Sequence, residues 1–206
     1  MSVAPLPASA PPPPPAAGVT EDFVFRLSVR QYHDMIRQGI LVDGDPVELL
    51  EGMLVVKMSK NPLHSKSTGR VQSHLNAVLP GGYYARVQEP VTLADGEPEP
   101  DVAVVRGTDD EYTDCHPGPA DAPLVVEVAD SSLARDRTLK LRGYARAGVL
   151  VYWIVNLIER QVEVYEQPDP ASAAYARRRV YTPGQRIPVR VDGGDVGDLA
   201  IDELLP

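Results

Sequence analysis

Residues 124–156 read LVVEVADSSLARDRTLKLRGYARAGVLVYWIVN, and this stretch decides the fold. It opens on LVVEVA (124–129), a run short, β-branched and apolar enough for the centre of a sheet. It closes on VYWIVN (151–156), a second strand of the same kind. Residues 132–147 between them carry helical spacing, with Asp130, Ser131 and Ser132 as candidate caps. A strand, a helix and a strand in that order imply parallel pairing through a right-handed crossover. The expectation is an α/β domain.

Upstream, structure is expected to begin near Leu27. Ser28 followed by Gln31 reads as a capping box, and Gly39 as the residue past the helix end. Val47–Lys57 (VELLEGMLVVK) reads as two strands around Glu51-Gly52. A helix over roughly 62–79 follows, with Leu63, Val71, Leu75 and Val78 at helical spacing and Pro80-Gly81-Gly82 ending it. Strands are expected at 83–94 and 101–105, then a Gly/Pro/Asp-rich loop over 107–123. Downstream, 161–166 completes a core spanning about 22–166, and the strands and turns of 167–206 are expected to cap the sheet edge. Residues 1–21 (MSVAPLPASAPPPPPAAGVTE) are expected to form a disordered Pro/Ala-rich tail, leaving 22–206 as the folded domain.

With 206 residues, the chain is long enough to bury one core without staples. Its one cysteine, Cys115, excludes an internal disulfide and a Cys-based zinc site, and suits a reducing compartment. The longest apolar run, GVLVYWIV (148–155), is far short of the roughly 20 residues that cross a bilayer. No early basic residue precedes an apolar stretch, so no secretion signal is read and the cytoplasm is the expected location. Twenty Lys plus Arg against 29 Asp plus Glu give a net charge of −9, unlike a protein that holds nucleic acid by bulk charge. Much of the excess lies in 95–114, where eight acids face Arg106 alone. Those acids read equally as a solubilising loop or as cation ligands.

Side chains alternate across a strand, so Val125, Glu127 and Ala129 share one face of LVVEVA. In PDVAVV (100–105), Asp101 shares a face with Ala103 and Val105. Pro100 cannot donate to the sheet ladder, which places Asp101 where the strand begins. Two acids in neighbouring apolar strands are costly to bring together without a cation, which is the physical case for a metal site. Pattern alone leaves open that each pairs with an arginine instead. On the following helix, Asp136, Lys140 and Tyr144 fall on one face at i, i+4 and i+8. Ala134, Thr138, Leu141 and Ala145 are expected on the buried side, and Arg135, Arg142 and Arg146 on a basic stripe. By itself Asp136–Lys140 reads as an exposed ion pair; the functional alternative has Lys140 leaning over the carboxylates.

Glu-Leu-Leu-Glu-Gly (48–52), Pro-Asp-Val-Ala-Val-Val (100–105), Leu-Val-Val-Glu-Val-Ala-Asp-Ser-Ser (124–132), the Asp136/Lys140 pair, Tyr-Ala-Arg-Ala-Gly-Val (144–149) and Tyr-Trp-Ile-Val-Asn (152–156) run in one order. The set closely resembles the Uma-two-type restriction endonucleases, a bacterial family of the PD-(D/E)XK nuclease superfamily. The resemblance covers about residues 22–166. It implies a restriction-endonuclease-like α/β (α+β) fold, a central mixed sheet flanked by helices. It also implies Asp101 and Glu127 as metal-binding acids and Glu48 as the acid contributed by the first helix-and-hairpin region. Glu51 rivals Glu48, although its place beside Gly52 suits an exposed turn, and Glu99 rivals Asp101. The superfamily expects lysine two residues after the second acid; here that position is Ala129, and Lys140 looks like its migrated substitute.

The activity so implied is hydrolysis of DNA phosphodiesters by an endonuclease using Mg²⁺, or Mn²⁺ in its place, with no organic cofactor. Asp101 and Glu127 would hold the ion and Lys140 would assist the attacking water, with Tyr144 holding Lys140. Asp136 and His64 are supporting candidates, and Arg135, Arg142 and Arg146 could contact the DNA backbone. A solvated arginine stripe and a surface or capping histidine are the plainer readings of those residues. Cutting two strands suits a homodimer. The alternative is a nuclease-fold binding or regulatory module that has lost catalysis, favoured by the acidic charge and by Ala129.

Overall fold

The computed structural model describes residues 24–42 and 44–206. The Pro/Ala-rich segment 1–21 lies outside the described residues.

The chain folds as α1 (Val29–Arg37), β1 (Val47–Leu50), β2 (Met53–Val56), α2 (Pro62–Val78), β3 (Tyr83–Val87), β4 (Val102–Arg106) and β5 (Leu124–Ala129). Then come α3 (Leu133–Arg135), a π-helical turn (Asp136–Lys140), α4 (Leu141–Ala147), β6 (Val151–Asn156), β7 (Gln161–Asp169), β8 (Ala174–Tyr181), β9 (Arg186–Val191), β10 (Gly194–Ala200) and α5 (Ile201–Leu204). Six strands form one mixed sheet in the order β3-β4-β5-β6-β7-β8. Only β5 and β6 run parallel, joined by the expected helical crossover; the other neighbours are antiparallel.

Local chemistry accounts for several boundaries. Ser28 and Gln31 form the full capping box of α1. Asn61 caps α2 through its side chain, which accepts from the His64 N–H, and Pro62 follows at the first helical position. Glu51 and Gly52 turn the β1–β2 hairpin with φ of 49° and 74°, a pair of left-handed residues that suits a two-residue hairpin. The hairpin stands apart from the main sheet and is tied to the β3–β4 connection by the bridge Leu49↔Glu97. Gly96 permits that approach, because a Cβ there would meet the Leu49 carbonyl oxygen at 2.8 Å.

The sheet buries two faces. Val102, Val104, Leu124, Val126 and Trp153 pack with Val71 and Leu75 of α2 and with Ile187, Val189, Leu199 and Ile201 from β9, β10 and α5. The opposite face carries Ala103, Val125, Ala129, Tyr152 and Ile154 with Tyr144 of α4 and Val91 and Leu93.

Several expectations need correction. The strand expected over 83–94 stops at Val87, since Gln88 turns left-handed (φ 58°) and Pro90 follows. The C-terminal segment does more than cap an edge: β8 adds a strand to it, while β9, β10 and α5 cover the sheet face that α2 leaves open. Leu63 is 57% exposed, and α2 instead buries His64, Ser67, Thr68, Val71 and Leu75. On the crossover helix, Ala134 and Thr138 face solvent, and Asp136, Lys140 and Tyr144 take the buried side.

Candidate active site

The crossover helix does not stay α-helical. Leu141 N–H reaches back five residues to the Asp136 carbonyl, widening one turn. The Tyr152 hydroxyl donates to the same carbonyl at 3.1 Å, supplying a reason for the wide turn from the sheet beneath it. The turn's first and last residues, Asp136 and Lys140, are both buried, at 1% and 6% exposure. The exposed ion pair is therefore excluded.

Lys140 Nζ lies 2.8 Å from Glu127 Oε1 and 3.4 Å from Glu48 Oε2. Glu48, on β1, also accepts from the Glu99 N–H through Oε2, while its Oε1 lies 3.5 Å from Arg135 Nη1. Glu127, on β5, accepts a second bond on Oε1 from the Tyr144 hydroxyl at 2.9 Å. Tyr144 thus holds Glu127 rather than Lys140. Asp101 sits one residue before β4. The β4–β5 register ends at Val102↔Val126, and beyond it Asp101 Oδ2 accepts from the Val128 N–H at 2.8 Å. The same oxygen lies 3.1 Å from His64 Nε2, which brings in α2. Asp136 accepts from Ser132 Oγ at 2.6 Å. Glu48, His64, Asp101, Glu127, Asp136 and Lys140 line one pocket of about 60 Å³, Arg135 enters its wall, and Tyr144 lies behind Glu127, outside it.

Burial works against the charged state of Glu127, Asp136 and Asp101, and the neighbours decide the outcome. At Glu127 burial dominates; Lys140 opposes it, but Asp136, Asp101 and Glu48 add repulsion, and the carboxyl is pushed well above its usual range. At Asp136 burial likewise prevails over Lys140 and Ser132, again upwards. At Asp101 burial is outweighed by the His64 hydrogen bond and charge, the Val128 N–H and Lys140, so its carboxyl is held low. Burial lowers Lys140, yet Glu127, Glu48 and Asp136 together raise it and keep it ammonium.

Among the described residues, no group of three or more His, Cys, Asp or Glu side chains is arranged to cage a metal ion. Asp101 and Glu127 nonetheless carry the donor chemistry that a hard divalent cation takes. Both offer oxygen, and each spends one oxygen on protein donors, Oδ2 of Asp101 and Oε1 of Glu127. Among the described residues, the hydrogen bonds of Asp101 and Glu127 fall on those oxygens and leave Oδ1 and Oε2 over. One or two carboxylates completed by water and phosphate oxygen are the ordinary surroundings of Mg²⁺.

The remaining candidates go elsewhere. Arg142 and Arg146 pair with Glu51, and Arg146 also with Asp95 at 2.7 Å, away from the pocket. Of the proposed arginine stripe, Arg135 alone lines it. Glu51 is no exposed turn acid, with 11% of its side chain accessible, and it holds two arginines. Glu99 pairs with Lys57 at 2.6 Å on the pocket wall. Pattern reading took Asp130 and Ser132 as cap candidates and missed the Ser132–Asp136 and Asn61–Asp130 hydrogen bonds on the pocket wall. It also missed Glu163 on β7, an acid between apolar neighbours whose signal matched that of Glu127.

Glu163 is fully buried and bound by Arg137 from the π-helical turn, Arg178 from β8, Tyr165 and Asn156. Burial raises its carboxyl, but these partners outweigh it and draw it from 4.5 down to about 2. A depressed folded value means the unfolded chain takes the proton first, so this stability is present above about 4.5 and lost as pH falls towards about 2. The loss is expected to be roughly 3 kcal/mol. Urea unfolding across that range is expected to show it, with a flatter profile for Glu163→Gln; identical slopes would refute the assignment.

The protein is thus of the mixed α/β class, a central six-stranded mixed sheet flanked by helices, with acids entering one pocket beside adjacent strands and a lysine from the parallel crossover. The same fold occurs in a crystal structure described as that of "a putative nuclease belonging to DUF820" from Anabaena variabilis. The two share 18% identity with a TM-score of 0.66, over 86% of this chain and 97% of that one. No curated protein matches the chain. Residues 29–193 match the Uma2 family, described as "Putative restriction endonuclease", and the chain belongs to that family. Among the described residues no helix is long and apolar enough to cross a membrane.

Proposed function

We propose that the chain is a Mg²⁺-dependent endodeoxyribonuclease, Mn²⁺ substituting, with Asp101 and Glu127 as the metal-binding acids. The observation that carries this is the convergence of Glu48, Asp101, Glu127 and Asp136 on one pocket with Lys140, in which Asp101 and Glu127 each commit one oxygen to protein donors. Bound there, the ion would supply Lewis-acid polarisation of the scissile phosphate and of the attacking water. The protein's own groups do the positioning. Val128 N–H and His64 fix the Asp101 carboxylate, and Tyr144 fixes that of Glu127. Lys140, held as ammonium, offsets charge that grows on the phosphate oxygens as water adds to phosphorus and the bond to the leaving oxygen breaks. Arg135 is the basic side chain best sited for an adjacent phosphate. A two-fold dimer would present two such pockets to the strands of a duplex.

Purified protein is expected to nick supercoiled plasmid with Mg²⁺ or Mn²⁺ and to stop when a chelator is added. Nicking unaffected by the chelator would overturn the proposal. One observation favours a second reading, a binding module without catalysis: Lys140 already fills the space between two acids, and no three-residue metal cage exists among the described residues. That reading predicts DNA binding or none, and no cleavage under any divalent ion.

A further inference from the structure

The pocket is over-supplied with acid. Glu48, Asp101, Glu127 and Asp136 are all buried, at 3%, 6%, 3% and 1% exposure. The fixed cations beside them are Lys140, in contact with two of the four, and Arg135, at 3.5 Å from Glu48 alone. Buried carboxylates at this density need a counter-charge, and the Lys140 ammonium supplies it from the sheet side of the crossover helix. Lys140 is anchored where it is, because the π-helical turn sets its backbone and Glu48 and Glu127 hold its ammonium from two separate strands.

Such an arrangement has a consequence for any metal that enters. An ion on Glu127 and the ammonium on Glu127 Oε1 would share one carboxylate, and two cations that close in a water-poor pocket repel strongly. We propose that Lys140 is the site's resident cation and a competitor of the divalent ion, so that it sets metal affinity lower than the acids alone would allow. The inference rests on the metal-binding reading of Asp101 and Glu127 above and adds a second role for Lys140. Without metal, the ammonium keeps the acids together and the fold intact. With metal, it yields part of its contact with Glu127 and becomes available to the phosphate. A weakly held ion that is completed only by substrate oxygen is the result.

The test is calorimetric titration of Mn²⁺ into wild type, Lys140→Gln and Lys140→Met at mildly alkaline pH, with no DNA present. Both variants are expected to bind Mn²⁺ at least about tenfold more tightly than wild type. Their melting temperatures are expected to rise more on adding Mn²⁺ than that of wild type does. If wild type binds Mn²⁺ and the variants bind equally or more weakly, competition is wrong while the metal site stands. If neither wild type nor variants bind, the metal-site reading fails and the inference with it. Should both variants fail to fold without metal, the ammonium resonance of Lys140 in isotope-labelled wild type decides. Saturable movement of that signal during a Mg²⁺ titration supports competition, and an unmoved signal alongside measured Mg²⁺ binding overturns it.

Discussion

Glu127→Gln is expected to reduce Mg²⁺-dependent plasmid nicking by at least about a thousandfold, equivalent to about 4 kcal/mol of barrier. The amide keeps the size of the carboxylate and an oxygen that can still accept from Lys140 and Tyr144. The replacement therefore leaves the side chain's place on β5 and its two donors unchanged. What it removes is the anionic ligand. Asp101→Asn is expected to match it in activity but to cost more stability, because the Asp101 carboxylate is held low by His64 and the Val128 N–H. Thermal melts beside the nicking assay separate the two effects. Wild-type nicking in either variant would show that the proposed acids are not the catalytic ones.

Trp153→Ala is expected to destabilise the protein by about 3–5 kcal/mol while leaving the pocket's chemistry in place. Trp153 is fully buried at the centre of β6, opposite Val126 of β5, and packs on the face shared with α2, β9, β10 and α5. Its neighbour Ile154 lies opposite Glu127, on the other face. Removing the indole empties space on the face that does not carry the acids. Denaturant unfolding should report the loss, and Mn²⁺ affinity measured well below the melting temperature should stay within a few-fold of wild type. A destabilisation under about 1 kcal/mol would mean that the two-faced packing described for the sheet is wrong.

The order of elements was legible because each carries a local signal. Ser28 with Gln31, Glu51 with Gly52, and the apolar runs 124–129 and 151–156 need no tertiary information to be read. The acids were legible because a charge inside an apolar strand demands a partner. The same rule applied to Glu163 and would have found its arginine pair. The π-helical turn was not legible, since it answers to the Tyr152 hydroxyl arriving from another strand. Small side-chain size suggested Ala134 and Thr138 inwards; the pull of Glu127 and Glu48 on Lys140 puts the polar face inwards instead. Arg142 and Arg146 looked like a free basic stripe because their partners, Glu51 and Asp95, are remote in sequence. His64 had no sequence signal for its contact with Asp101 either, since α2 and β4 meet only in the fold.

The claim on which the function depends is that the carboxyl groups of residues 101 and 127 together grip one divalent ion. Anomalous scattering from crystals soaked in Mn²⁺ tests it directly. The predicted result is a single strong peak in contact with both carboxylates, beside the Lys140 ammonium. A map without that peak, or with the ion bound at other residues while DNA is still cut, would contradict the account.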